Sequence, residues 1–206
     1  MLSFAAIASL LLLAPAPSVA PTVNPELAAI SREMRAIFTL SAHMHQTKTL
    51  SVLDEVVESD GTLVFARPRR LAMDLAGEGG NTLIIDGDTM TMVYKALSNT
   101  ERTLLSRDPR ARAVAEHLFL LLEANPEALA PLYSLDVQHK APLKIRLTPK
   151  AEALARILSF VDATFDKRGF VTELLLEETN GDTTRWTFDN PKINQPVSDN
   201  AFRVAP

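Results

Sequence analysis

A two-residue alternation of apolar and polar side chains, restarted after a series of short turns, constrains this chain more than any other feature. Leu143, Ile145 and Leu147 alternate strictly with Lys144, Arg146 and Thr148. Successive side chains of a strand point to opposite faces, so this segment has one greasy face and one wet face. The same period runs through Leu40, Ala42, Met44 and Gln46 against Ser41, His43 and His45. It continues as predicted strands at Val52 to Val57, Thr62 to Arg67, Leu71 to Leu75, Thr82 to Ile85 and Thr89 to Lys95. Asp60-Gly61 reads as a hairpin turn, and Gly77, Gly79, Gly80 and Asp86-Gly87 separate the later strands. The alternation returns in Tyr133 to Gln138, Leu143 to Thr148, Arg156 to Asp166, Phe170 to Glu178 and Thr183 to Phe188. Lys167-Arg168-Gly169 and Asn180-Gly181-Asp182 supply compact turns in this second meander.

Helical spacing appears in two places only. Asn24-Pro25-Glu26 offers a capping side chain, a proline for the first helical position and an early acid. Leu27, Ile30, Met34 and Ile37 then share one face, predicting an amphipathic helix from about Pro25 to Phe38. Between the meanders, Asp108-Pro109 starts a second helix on which Ala113, Val114, Leu118, Leu121 and Leu122 recur at helical spacing. Asn125-Pro126-Glu127 begins a shorter one reaching about Ala130. The order helix, strands, helices, strands, with no repeat and no linker, predicts one α+β domain, an antiparallel sheet curved around its helices.

With 206 residues, 47% hydrophobic and 22% charged, the chain has material for one sizeable core and is not a disordered one. A net charge of -4 gives no overall field to recruit nucleic acid. Cysteine is absent, which excludes disulfides, thiolate ligands and a lipidated cysteine on this chain. Met1 to Ala20 carries no charge, and its apolar centre, Phe4 to Ala14, matches the hydrophobic region of a secretory signal. Pro15 and Pro17 interrupt it before the about 20 apolar residues a membrane span needs. Cleavage is expected after one of residues 18–20, leaving residues 21–206 as a single exported, soluble domain.

No nucleophile elbow, phosphate loop, dinucleotide fingerprint, zinc-protease motif or calcium loop occurs, and no enzyme, cofactor or metal is expected. His43 and His45 project from one face of a strand, as two metal ligands would, but the simpler reading is two polar residues facing solvent opposite Leu40, Ala42 and Met44, which needs no third ligand. Glu177 and Glu178 point to opposite sides of theirs, as do Asp54 and Glu55, so neither pair forms an acid/base couple.

One constellation stands out. Leu63, Phe65 and Arg67 fall on the same face of a strand, which sets an arginine on the greasy side. A charge there must find acceptors, and the unpaired carbonyls at a helix C-terminus are suitable ones; the alternative is an ordinary surface arginine. Pro68 then removes a donor and bends the chain or brings it to an edge.

From Gly61 through Arg67-Pro68 into the next strand, the sequence resembles the outer-membrane lipoprotein carrier (LolA) family. Ile85-Asp86-Gly87 with Met90 to Tyr94, Leu147-Thr148-Pro149-Lys150, Phe165 to Gly169, Asn180-Gly181-Asp182, Asn190 to Asn194 and Phe202 extend the likeness over Pro25 to Pro206. The resemblance implies an unclosed half-barrel with helices as a lid over a hydrophobic cavity. It implies that Arg67, with Pro68, latches the lid. It also implies a monomeric periplasmic carrier that takes acylated lipoproteins from an inner-membrane ABC exporter to an outer-membrane acceptor. The residues expected to line the cavity are Leu63, Phe65, Leu71, Met73, Met90, Met92, Leu118, Leu121 and Leu122, the methionines suiting variable tails. Leu71 and Met73 stand where family members often place aromatics, which leaves room for another acylated lipid or glycolipid as passenger, carried or sensed.

Overall fold

A computed structural model describes residues 25–77, 80–123 and 125–204. The apolar segment 1–20 and the capping Asn24 lie outside the described residues. The first meander comprises β1 (Thr39–Leu50), β2 (Glu55–Ala66), β3 (Arg70–Leu75), β4 (Asn81–Asp86), β5 (Thr89–Tyr94) and β6 (Asn99–Leu104). The second comprises β7 (Tyr133–Lys140), β8 (Leu143–Pro149), β9 (Leu158–Phe165), β10 (Val171–Glu178) and β11 (Thr183–Ile193). Helix α1 (Pro25–Arg35) precedes the first, α2 (Pro109–Glu123) and α3 (Pro126–Leu129) join the two, and the single turn α4 (Glu152–Ala155) precedes β9.

All eleven strands belong to one antiparallel sheet in the order β6-β5-β4-β3-β2-β1-β11-β10-β9-β8-β7. Each meander is built of sequence neighbours, and the β1–β11 ladder, from Leu40↔Ile193 to Thr49↔Thr183, unites them. β6 and β7 remain as edges, so the curved sheet does not close. Following the antiparallel path, the 67–69 and 87–88 turns, the end of β6 and the start of β1 fall at one end. The 51–54 and 179–182 turns fall at the other.

The alternation decides the two faces. Leu40, Ala42, Met44, Leu63, Phe65, Leu71, Ile85, Ile145, Leu147, Val161, Ala163 and Phe188 are buried on the concave side with the helices. The convex side has a small core of its own, where Ala66, Ala72 and Ile84 receive Phe202 from a 3₁₀ turn at Asp199–Phe202. Arg70 fixes that turn by bonding Asp199 (2.8 Å) and stacking 4.1 Å over the Phe202 ring. On the same side Asp162, 2% exposed, accepts from Arg146 Nε and Nη2 (2.7 and 2.8 Å) and lies 3.1 Å from Lys144 Nζ.

Five local expectations are corrected. Asp60-Gly61 is no turn; both lie inside β2, opposite His45 and Met44. Glycine is needed there because a Cβ on Gly61 would run into the Asp74 carbonyl oxygen of the neighbouring strand. The turn sits instead at residues 51–54, where Asp54 takes a left-handed φ of 52° and Ser51 is bonded to Asp182 (2.8 Å) and Asn180 (2.9 Å). Helix α1 stops at Arg35, so Phe38 is exposed outside it. Ala113 and Val114 face outward, because the buried stripe of α2 runs through Ala111, Ala115, Phe119 and Leu122. Finally, β6 and α4 carried no apolar period: β6 is a polar edge strand, and α4 occupies one turn just before the predicted start at Arg156.

Gly61→Ala is expected to lower stability by about 1–3 kcal/mol through backbone overlap, read as a lower urea midpoint with unchanged slope. For Asp162, burial raises the carboxyl pKa, but hydrogen bonds from Arg146 and Lys144 outweigh it and hold the pKa below its ordinary value. A lowered folded-state pKa gives stability that is present above the unfolded-state value and lost as pH falls through the folded one. Asp162→Asn should therefore cost about 1–3 kcal/mol at neutral pH, with the gap to wild type narrowing below about pH 4 in denaturation titrations.

Candidate functional site

The concave face is covered by helices whose contacts with it are almost wholly apolar. Ile30, Met34 and Ile37 from α1 and its following turn, Phe119, Leu121 and Leu122 from α2, and Leu129 from α3 join the sheet residues in one buried cluster. The rings of Phe65 and Phe119 meet at 6.2 Å. The N-terminus of α2 is capped by Asp108, whose Oδ1 accepts from Arg110 N (2.9 Å) and Ala111 N (3.0 Å).

Directional bonds concentrate at one place. Arg67 follows β2 directly, and its guanidinium donates from Nε to the Ile37 carbonyl (2.9 Å) and from Nη2 to the Met34 carbonyl (3.3 Å). These oxygens lie in and just beyond the last turn of α1, where the helix supplies no full set of partners. Nη1 reaches Glu123 Oε1 at 2.7 Å, with the two side chains 26% and 24% exposed. Arg67 N also donates to the Phe38 carbonyl (2.9 Å). Asn194, just past β11, accepts from Phe38 N (2.7 Å) and donates to the Ala36 carbonyl (2.9 Å). The end of α1 is thus held by two side chains of the sheet, and the end of α2 by one.

Glu123 and Asn194 had no place among the site residues read from the sequence. Glu123 ends an apolar run at a helix C-terminus, where the macrodipole disfavours a carboxylate, and only the fold sets Arg67 beside it. Of the residues expected to line a cavity, Leu63, Phe65, Leu71, Met73, Leu121 and Leu122 are buried in the concave core. Met90 and Leu118 are partly buried against it. Met92 lines an open cleft of about 200 Å³ with Gln46, Met73, Leu75, Asn81, Leu83 and Tyr94, away from the helices. Under α2 and α3, bounded by Leu121, Leu129, Ile145 and Phe165 among others, about 10 Å³ is free, scarcely one water. At this place the helices leave almost no free space over the sheet. Pro68 is exposed in the turn after Arg67.

His43 and His45 lie 3.3 and 2.9 Å from the carboxylates of Asp189 and Asp60, each across one ladder. Among the described residues, no three histidine, aspartate or glutamate side chains come together as a metal site would require. Nor is any described helix long and apolar enough to cross a membrane.

An open curved sheet with an apolar inner face, roofed by helices whose ends are tied by Arg67 and Asn194, defines a fold of the half-barrel class. The family described as outer membrane lipoprotein carrier protein LolA matches the chain over residues 35–205, and the chain belongs to it. No curated protein sequence matches. Among solved structures, MucB is similar with 11% identity and a TM-score of 0.50, over 89% of this chain and 64% of that one. A LolA-superfamily protein from Nitrosomonas europaea (10% identity, 86% and 97% covered, TM-score 0.42) is also similar. So is the Mycobacterium tuberculosis lipoprotein LppX (14% identity, 85% and 98% covered, TM-score 0.43).

Removing the Glu123 charge tests how the helices are held. Glu123→Gln is expected to speed hydrogen exchange in the last turns of α1 and α2 by about ten-fold, the loss of one charge-assisted bond, while β8–β10 amides stay unchanged. Uniform loosening of helices and sheet together would instead make Glu123 part of the general fold.

Proposed function

We propose that this chain is a periplasmic carrier that shelters the acyl chains of lipoproteins, receiving them from an inner-membrane ABC exporter and passing them to an outer-membrane acceptor. The observation that carries this reading is the contrast between the two kinds of helix–sheet contact. Apolar packing is non-directional, so the helices can be exchanged for hydrocarbon on the same face at little net cost. Each acyl CH₂ buried contributes about 0.8 kcal/mol, which offsets the loss of Phe119, Leu121 and Leu122 from the concave face. The bonds from Arg67 cannot be replaced by hydrocarbon. They favour the closed arrangement when no tail is present and so give the carrier a force for release. Membership of the LolA family supports the same assignment. Met73 and Met92 beside the open cleft provide an adaptable surface for the first methylenes to arrive.

Mass spectrometry of protein purified from the periplasm should reveal co-purified acylated polypeptide. Repeated recovery of bare protein when lipoproteins are supplied would overturn the carrier reading. Arg67→Leu is expected to keep the sheet but retain cargo, slowing transfer to an acceptor membrane by about ten-fold or more, the effect of losing charge-assisted bonds to Glu123 and the α1 carbonyls. Transfer at the wild-type rate would remove Arg67 from the mechanism.

A further inference from the structure

The end of the molecule where α1 finishes and α2 begins has a surface that cargo binding leaves unexplained. Arg32 and Arg35 on α1, Arg69 in the turn after β2, Arg107 before α2, and Arg110 and Arg112 in its first turn are all exposed. None of these six is in an ion pair among the described residues, although Arg69 stacks 5.4 Å from the Phe119 ring. The fold brings their three chain segments to one end. Arg69 and Arg112 line one cleft of about 390 Å³ with Asp88, Ser106 and Glu116, and the turn carrying Arg69 is bonded through Arg67 N to Phe38.

Most carboxylates at this end are engaged: Glu123 by Arg67, Asp86 and Asp199 by Arg70, and Asp166 by Arg168. Asp88 is engaged by Ser106 N and Oγ (2.8 and 2.6 Å), while Asp108 caps α2 and Glu33 and Glu116 are exposed. A chain of net charge -4 therefore carries a basic end. Large apolar side chains stand exposed among the arginines: Phe38 at 64%, Val114 at 53% and Leu104 at 42%. Val114 lies one helical turn from Arg110, on the outward side of a helix whose other side is buried.

We propose that this end docks reversibly on a bilayer rich in anionic phospholipid, the arginines reaching headgroup phosphates while Phe38 and Val114 enter the headgroup boundary. Arginines interspersed with exposed hydrocarbon fit a surface that offers phosphate and apolar depth together. An acidic protein would match the charge but leave Phe38 and Val114 unaccounted for. Docking in this orientation turns the outer sides of α1 and α2 to the membrane. It needs no cargo, so its success or failure is independent of the carrier reading.

The test is co-flotation of the full chain with vesicles of phosphatidylcholine alone or with about a third phosphatidylglycerol, at low and high salt. No charged side chain precedes Glu26, so any contribution of the apolar N-terminal segment is common to both vesicle types. Binding should require the anionic lipid and weaken as salt screens it. Reversing Arg110→Glu with Arg112→Glu should weaken binding by about ten-fold or more, the charges lying at the membrane surface. Arg156→Glu, the same change of sign at the far end, should not. Circular dichroism checks that both variants are folded. Equal binding to neutral vesicles, unaltered binding of the Arg110/Arg112 variant, or no binding to anionic vesicles, even with retention on polyglutamate, would overturn the proposal.

Discussion

Everything else in this molecule depends on the ladder between β1 and β11. Each meander alone is a run of hairpins whose apolar side would stand uncovered. Pairing the first strand with the last, over Leu40 to Thr49, makes one continuous apolar face of sufficient area to hold helices. The cost is long-range loop closure, since the partners lie more than a hundred residues apart in the chain. The two chain segments that flank this ladder are also those that meet again at Asn194, which bonds the turn after α1 to the end of β11. Formation of the central ladder and seating of α1 are thereby coupled.

The helices above that face are held by two unequal kinds of force. Apolar contact extends along α1, α2 and α3 and is indifferent to what supplies it. The polar contacts are few, and Arg67 makes most of them, to two carbonyls of the α1 end and to Glu123 of α2. One guanidinium with its donors in a rigid fork can join two helices to one strand end, which a lysine could not do with the same geometry. The arginine is half-shielded rather than buried, so its bonds are strengthened by partial desolvation without the full penalty of an interior charge.

How far the sequence exposed all this varies with the physics involved. Alternation located ten of the eleven strands, though it split β2 into Val52 to Val57 and Thr62 to Arg67, and Asp108 with Pro109 placed the start of α2, because both effects are local. Position two beyond Phe65 is enough to put Arg67 on the apolar face. What local patterns could not supply was the identity of distant partners: Glu123 meets Arg67 only because α2 crosses the concave face. Gly61 shows the opposite error. Asp-Gly is a good turn signal when nothing crowds it, yet here the neighbouring strand's Asp74 carbonyl requires a residue without Cβ, and the chain runs straight on. β6 was hidden for a third reason, since an edge strand exposed on both faces has no apolar period to detect.

The missing ladder between β6 and β7 has a mechanical meaning. A closed barrel has a perimeter fixed by strand number and stagger, and enlarging it requires inter-strand hydrogen bonds to break. This sheet has two unjoined margins, bridged by α2 and α3 alone, so it can change curvature by small adjustments of twist shared among ten ladders. Its girth is not fixed by ladder closure. For the carrier proposed above, a passenger with one hydrocarbon chain and a passenger with three would then be met by the same hydrogen-bonded sheet at different degrees of bend.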